Sequence, residues 1–162
     1  MKNLEFIKYT YLHRQVVLYL ANKYVKDNKE EVLKQIEKHD LDKMFMYMFY
    51  NKSDASSIHR KLSTHHENDL DKNYIDYIEM VLDWESARYT KDDKPLNAYD
   101  TLYKYYPSME KEIVPILEKF NINKPNLPKE KDVEEYVKTL QNISLNDIKD
   151  EYIKYINDFF DS

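Results

Sequence analysis

The chain has 162 residues, a net charge of −5 and a pI near 5.6, a length that fits one domain with a sizeable core. Glycine and cysteine are absent, which excludes glycine-rich phosphate loops, disulfides, thiolate metal ligands and cysteine nucleophiles. The acidic balance disfavours duplex nucleic acid as a partner, because duplex binding needs a basic surface.

The predicted elements are helices, since a β-rich fold without glycine would lack its usual turn residues. Apolar residues at three- and four-residue spacing predict the following helices, in chain order: about 3–27, 29–40, 44–50, 53–62, 70–90, 96–106, 108–120, 130–141 and 145–160. We therefore predict an all-α fold, a compact helical bundle. Residues 1–106 hold the candidate chemistry, and 107–162 form a C-terminal helical extension packed on them in a single globular unit.

Three local features carry more specific expectations. The run Met44–Tyr50 is apolar on all sides, which predicts a deeply buried helix. Pro115 is expected to bend its helix or end it early. The predicted N-caps are Ser53 or Asp54, Asp69 or Asp71, Ser108 and Ser144.

Nothing in the sequence is typical of a membrane or secreted protein. Apolar runs are too short to span a bilayer, and Met1–Glu5 does not resemble a signal peptide. We expect a cytoplasmic protein without a membrane partner. The oligomeric state stays open, a homodimer included.

Four residues from separate helices form the first candidate site. His13 shares a face with apolar residues, His39 and Asp40 end the second predicted helix, and Asp83 lies in mid-helix between apolar neighbours. Two imidazoles and two carboxylates make a four-ligand cage for a divalent metal: Mn, Fe, Co, Ni, Zn or Mg. A structural interpretation is equally open, with a core histidine, a helix-capping His39 and a buried ion pair at Asp83.

A second group of residues also has two interpretations. His59, His65 and His66 are either solvated residues at a helix end or ligands of a second metal or a phosphate. Arg14 and Lys43, each within about a turn of a presumed ligand, are either solvated cations or phosphate binders.

The order His13, His39-Asp40, Asp83 resembles the H…HD…D pattern of the HD-domain superfamily of metal-dependent phosphohydrolases. The local motifs are closer still to an uncharacterised family of bacterial and phage proteins within or near that superfamily. The shared motifs are His-Arg at 13–14, His-Asp-Leu-x-Lys at 39–43, His-x5-His-His at 59–66 and Glu-Met-x-x-Asp-Trp at 79–84. One position departs from that family, because Asp42 stands where serine is usual.

The resemblance implies an HD-domain-like bundle that holds one divalent cation. The cation would activate water for in-line attack at phosphorus in a small phosphorylated molecule, with a nucleotide favoured as the substrate. It implies these roles: metal ligands His13, His39, Asp40 and Asp83; catalytic residues Asp40, Lys43, His65 and His66; outer-sphere residues or ligands of a second metal His59, His66 and Glu79; phosphate binders Arg14 and Lys43. A histidine from His59, His65 or His66 would protonate the leaving oxygen. Trp84 or a tyrosine either stacks on the base or packs in the core.

The alternative function is a non-catalytic helical protein that binds or sequesters a nucleotide or a metal, or a purely structural or interaction protein. Asp42 in place of serine favours this alternative. The decisive expectation is geometric: if the side chains of His13 and Asp83 do not converge on His39-Asp40, the phosphohydrolase hypothesis fails.

Overall fold

The computed structural model describes residues 4–47, 49–68 and 70–161, and their regular structure is entirely helical. The helices are α1 Leu4–Tyr24, α2 Lys29–Ile36, α3 Leu41–Met46, α4 Lys52–Leu62, α5 Tyr74–Thr90, α6 Ala98–Tyr105, α7 Glu110–Lys119, α8 Lys131–Thr139 and α9 Leu145–Asp161, with a 3-10 turn at Pro107–Met109. The prediction of an all-α fold is confirmed. Within the described ranges, no helix is long and apolar enough to cross a membrane.

Asparagine side chains begin three of the helices. Asn51, Asn73 and Asn97 each accept a hydrogen bond from the backbone N–H three residues later, which satisfies a donor that the helix leaves free. The caps predicted for α4 and α5 are therefore wrong; of these, Asp69 lies outside the described residues. For α9 the prediction is confirmed, since Ser144 and Asp147 bond to each other.

In this chain, residues with short polar side chains adopt the left-handed backbone conformation that glycine usually adopts. The four described residues with positive φ are Asn28, Asp40, Asn121 and Asn126. Asparagine and aspartate tolerate this conformation best among non-glycine residues. Three of these residues turn the chain in surface loops, and Asp40 belongs to the candidate site.

The main core lies between α1 and α5. Val16, Val17 and Leu20 of α1 pack in one buried cluster with Ile78, Val81 and Leu82 of α5. Helices α2, α6, α7 and α8 add further side chains to the same cluster: Val32, Ile36, Ala98, Leu102, Ile113, Ile116, Leu117 and Val133. Residues beyond 107 thus share the main core with the N-terminal part.

A second, smaller cluster lies at the other end of α1. Its buried members are Ile7, Leu41, Met44, Tyr47, Ala55 and Ile148, from α1, α3, α4, α9 and the residue after α3. The main cluster holds α1 and α5 side by side, and the second packs Leu41, which directly follows the turn before α3, with Ile7 of α1.

One prediction about local structure is wrong and another is wrong in part. The apolar run after Leu41 does not form a fully buried helix, because α3 ends at Met46 and Phe49 is 62% exposed; Met48 lies outside the described residues. Pro115 does not end its helix early, since α7 continues to Lys119, and the bend stays a prediction. Pro115 is the sixth residue of α7, so it costs one backbone hydrogen bond, and the buried apolar face of α7 outweighs that loss.

Candidate metal centre

The first donor set brings together side chains of α1, α5 and the turn before α3. His13 Nε2 lies 2.7 Å from Asp83 Oδ1 and 3.3 Å from His39 Nε2. His39 Nε2 lies 3.3 Å from Asp83 Oδ1 and 3.4 Å from Asp40 Oδ2. His13 Nε2 lies 4.0 Å from the same Asp40 oxygen. His13 and Asp83 therefore converge on His39-Asp40, as the phosphohydrolase hypothesis requires.

The spacing of these four atoms fits one divalent ion. Ion–ligand distances of about 2.0–2.1 Å place tetrahedral ligand atoms about 3.4 Å apart and neighbouring octahedral ones about 3.0 Å apart. The measured separations, from 2.7 to 4.0 Å, bracket both values. Imidazole donors favour a transition metal or zinc over magnesium.

A second donor set uses the other oxygen of Asp40. Asp40 Oδ1 lies 2.8 Å from His59 Nε2 and 3.2 Å from His65 Nε2, and these two nitrogens are 3.1 Å apart. His66 completes the set, with its ring 4.3 Å from that of His65. Asp40 Oδ1 is buried, yet among the described residues no well-oriented hydrogen bond reaches it. An oxygen in this position suits a cation, so the carboxylate of Asp40 could bridge two ions.

Glu79 fixes the orientation of one histidine in each set. Its Oε2 lies 2.8 Å from His39 Nδ1 and 2.7 Å from His65 Nδ1. Burial raises the pKa of Glu79, but the hydrogen bonds from His39 and His65 lower it more, to about 2. The ionised carboxylate can only accept hydrogen bonds, so both Nδ1 atoms carry a proton, and His65 Nδ1 also lies 2.6 Å from Ser63 Oγ. Once the proton on Nε2 is released, the Nε2 lone pair of each ring is directed at its donor set.

Two of the remaining three rings, those of His13 and His59, are oriented in a similar way. His59 Nδ1 donates to Asp42 Oδ2 across 2.6 Å. His13 Nδ1 lies 3.3 Å from Thr90 Oγ1, whose own hydrogen is donated to the carbonyl of Ser86. Thr90 therefore accepts from His13. Asp42, the departure from the family motif, supplies the carboxylate that orients His59.

The carboxylates of the two donor sets are ionised, and His39 carries a proton that a metal cation can displace. Burial raises the pKa of Asp83, but the hydrogen bond and charge of the neighbouring histidines hold it well below its usual range. Burial lowers the pKa of His39, but the negative charge of Asp40 and the hydrogen bonds to Asp83 and Glu79 together outweigh this and raise it to about 9. The pKa of His13 is lowered, mainly by burial. Metal binding would release the proton of His39, as it does at imidazole sites in general.

A cavity of about 460 Å³ opens beside the donor sets, with Asp83 and His66 in its wall. This volume is in the usual range for small-molecule sites. Its basic lining residues are Arg60, Lys91, Lys94 and Lys104, and its aromatic ones are Trp84, Tyr105 and Tyr106. The ring of Trp84 stacks on that of Tyr106, with centroids 5.0 Å apart and planes 4° apart.

The two predicted phosphate binders lie in different surroundings. Lys43 is partly buried in α3, where burial lowers its pKa but the charge of Asp40, together with smaller contributions from Tyr47, Asp83 and Asp42, raises it more. Lys43 therefore adds positive charge beside the donor sets. Arg14 is 1% exposed and donates to the carbonyls of Glu37 and His39 and to the carboxylate of Glu151. With its donors so engaged, Arg14 does not have the contacts of a phosphate binder, and that prediction is not pursued.

Lys91 is the main site residue that sequence reasoning missed. It follows Asp83 by eight residues, has extended backbone at the end of α5, and lines the cavity. Helical periodicity does not predict this position, because eight residues correspond to a rotation of about 80° and Lys91 lies beyond the last helical residue, Thr90. Arg60 and Lys104 likewise carry no local signal, because tertiary packing alone brings α4 and α6 to the cavity.

No family model matches the chain, and neither does a curated protein or a solved structure. The resemblance to the HD-domain superfamily rests on the sequence motifs and stays a prediction. Fold and site define an all-helical protein with a buried cluster of histidines and carboxylates that could hold a divalent metal.

Proposed function

We propose that this protein is a metal-dependent phosphohydrolase acting on a small phosphorylated molecule, with a nucleotide as the favoured substrate. The observation that carries the proposal is the position of the two donor sets, joined through Asp40, at the wall of a cavity. Four basic side chains line this cavity, together with the carboxylates of Glu67, Asp83 and Asp93. A divalent ion held there supplies Lewis acidity toward a phosphoryl group and makes water a better nucleophile.

Basic side chains of the cavity bind the anionic part of the substrate. Arg60, Lys91, Lys94 and Lys104 approach the cavity from α4, the end of α5, the following turn and α6. Their positive charges stabilise the phosphate oxygens of the substrate and the additional negative charge that develops in the transition state. Lys91 lies nearest in sequence to the ligand Asp83, so it is the best placed of the four to contact the phosphate that reacts.

Aromatic side chains favour a nucleotide over a simple phosphorylated sugar. Trp84, Tyr105 and Tyr106 form an apolar part of the cavity wall. Aromatic faces of this kind stack on nucleobases. One face of Trp84 is already covered by Tyr106, so a base would use the remaining surface of this pair.

His66 is the histidine that faces the cavity. Burial lowers its pKa to about 3, so its ring is neutral near pH 7 and holds a free lone pair. This favours His66 as a ligand or a proton acceptor over the proton donor expected from the sequence. His65 is less accessible, because Glu79 and Asp40 occupy its two ring nitrogens.

Metal content tests the first half of the proposal. Protein freed of metal with a chelator is reconstituted with Mn, Co or Ni, and the bound metal is measured by elemental analysis. We expect one or two equivalents in the wild type and a large loss in His39→Ala and Asp83→Ala. Asp92→Ala, which removes an exposed carboxylate of the neighbouring turn, is expected to bind like the wild type.

Hydrolysis tests the second half. The metal-loaded protein is assayed against p-nitrophenyl phosphate, bis-p-nitrophenyl phosphate and a panel of nucleotides, with release of nitrophenol or phosphate as the readout. Turnover that disappears in Asp83→Ala and survives in Asp92→Ala supports the phosphohydrolase. Stoichiometric metal without any turnover contradicts it and favours the non-catalytic nucleotide or metal binder.

A further inference from the structure

The turn at residues 37–40 determines how two successive residues can serve one metal. Successive side chains on a helix diverge by about 100° around its axis, so two neighbouring residues rarely coordinate the same metal ion. Here α2 ends at Ile36, and Asp40 adopts a left-handed conformation with φ 57° and ψ 11°. This backbone brings Asp40 Oδ2 to 3.4 Å from His39 Nε2. The conformation is unfavourable for a non-glycine residue, so its surroundings must hold it.

Arg14 is the side chain that holds this turn. Its Nε–H donates to the carbonyl of His39 across 2.5 Å, and its Nη2 donates to the carbonyl of Glu37. Both carbonyls lie past the end of α2 and need partners outside that helix. The guanidinium is 1% exposed, so its hydrogen bonds form away from competing water.

The charge of Arg14 is balanced from the other end of the chain. Glu151 of α9 lies 2.5 Å from Arg14 Nη1 through its Oε2, and it is the one carboxylate within ion-pair distance of Arg14 in the described ranges. A buried guanidinium without a counter-charge is strongly unfavourable. Ile148, one turn earlier on α9, is buried in the cluster that contains Leu41, the residue directly after the turn.

We infer that Glu151 is a positioning residue: through Arg14 it holds the 37–40 turn in the conformation that aims His39 and Asp40 at one cation. Helix α9, for which the sequence predicted no functional role, then helps to position the metal ligands. This inference rests on the metal-binding half of the proposed function and is independent of the reaction.

Cobalt binding to metal-free protein tests the inference, with Co²⁺ affinity and the visible spectrum of the bound ion as readouts. We expect Glu151→Gln to bind about tenfold or more weakly, the range found for outer contacts of metal ligands, with a changed spectrum. Lys154→Gln is the matched control, since Lys154 reaches the same turn from α9 through an exposed ion pair of 3.7 Å to Glu37. Its affinity and spectrum should stay those of the wild type.

A second variant and a second measurement guard against a fold defect. Glu151→Asp keeps the charge but shortens its reach, and it should lose affinity by a smaller factor. In metal-free Glu151→Gln, hydrogen exchange at the amides of residues 39–41 should accelerate while that of α5 stays unchanged.

Three outcomes separate the hypotheses. Wild-type cobalt affinity and spectrum in Glu151→Gln would overturn the inference and leave the metal centre intact. Equal losses in Glu151→Gln and Lys154→Gln would also overturn it, because they would indicate a general effect of α9. A wild type that binds no cobalt would remove the metal centre itself, and with it both the proposed function and the inference.

Discussion

The replacement Glu79→Gln probes both donor sets at once, because a single oxygen of Glu79 accepts hydrogen bonds from His39 and His65. Glutamine has nearly the same shape and can still accept with its carbonyl oxygen, but it has no charge. The histidines then become less basic and less firmly oriented, and we expect weaker metal binding with little change of fold.

The size of the effect follows from the two hydrogen bonds. A bond to an ionised acceptor contributes about 1 kcal/mol more than the same bond between neutral groups. Two bonds, at 2.8 and 2.7 Å, lose this extra contribution, so the cost is about 2 kcal/mol. That cost corresponds to about 30-fold weaker binding, shared between the ions if two are bound.

Competition with a chromophoric chelator measures the affinity of each variant for Mn²⁺ and Co²⁺. The matched control is Glu85→Gln, a buried glutamate six residues later on α5 that bonds to Arg88 and to the N–H of Ala98. We expect Glu85→Gln to lower thermal stability and leave metal affinity unchanged. Unchanged affinity in Glu79→Gln, or an equal loss in both variants, would refute the role assigned to Glu79.

Three further predictions address the second donor set, the cavity and the pH dependence. Asp42→Asn should weaken the binding of an ion in the second donor set about tenfold and leave binding in the first set unchanged, because Asp42 orients only His59. Equal losses of affinity for both ions in a calorimetric titration would count against this. Lys91→Met should weaken inhibition by inorganic phosphate about tenfold, the value of one charged hydrogen bond, while Lys34→Met on the exposed surface of α2 should not. Identical inhibition constants would exclude phosphate contact by Lys91. Burial raises the pKa of Tyr89 from 10.0 to about 12. The contribution of the neutral phenol to stability is therefore complete below pH 10 and is lost as the pH rises through 12. Tyr89→Phe should reduce the fall in melting temperature between pH 10 and 12, and an unchanged slope would contradict the raised pKa.

The second donor set depends on a weakly anchored part of the chain. Ala55 and His59 are the buried residues of α4, and His65 and His66 follow that helix in an irregular segment. Few apolar contacts therefore hold these histidines, and polar contacts through Asp42 and Glu79 do most of the positioning. A second ion bound there would join α4 to the rest of the protein through Asp40.

Much of the fold could be predicted from the sequence. Helical periodicity is a local property, and the absence of glycine removes most alternatives, so the helices of the main core were found within a few residues. The errors occur where something other than helical periodicity determines the local structure. Asn73 rather than an aspartate caps α5, because several polar residues before a helix can serve as caps, and the local sequence does not rank them.

Exposure of the residues after α3 was a different kind of error. The run from Met44 is apolar on all sides, but whether such a run is buried depends on what packs against it. The second cluster covers Met44 and Tyr47 and leaves Phe49 exposed. Composition gives the hydrophobicity of a segment, while only the packed neighbours give its burial.

For the site, the sequence by itself determined the candidate ligands and their order along the chain. From the types of His13, His39, Asp40 and Asp83 and the apolar context of their helices, the sequence predicted that these side chains converge, and they do. Chemical identity and helical phase are both readable from neighbouring residues, which is why the convergence could be predicted, while metal binding stays a prediction.

The tertiary structure alone decided how those ligands are joined and supported. It placed Asp40 between two donor sets, turned Arg14 away from the cavity to hold the 37–40 turn, and brought Glu151 from α9 to balance its charge. It also gathered Arg60, Lys91 and Lys104 around one cavity. These relations join residues up to 137 positions apart, and they depend on the packing of whole helices, which no local pattern encodes.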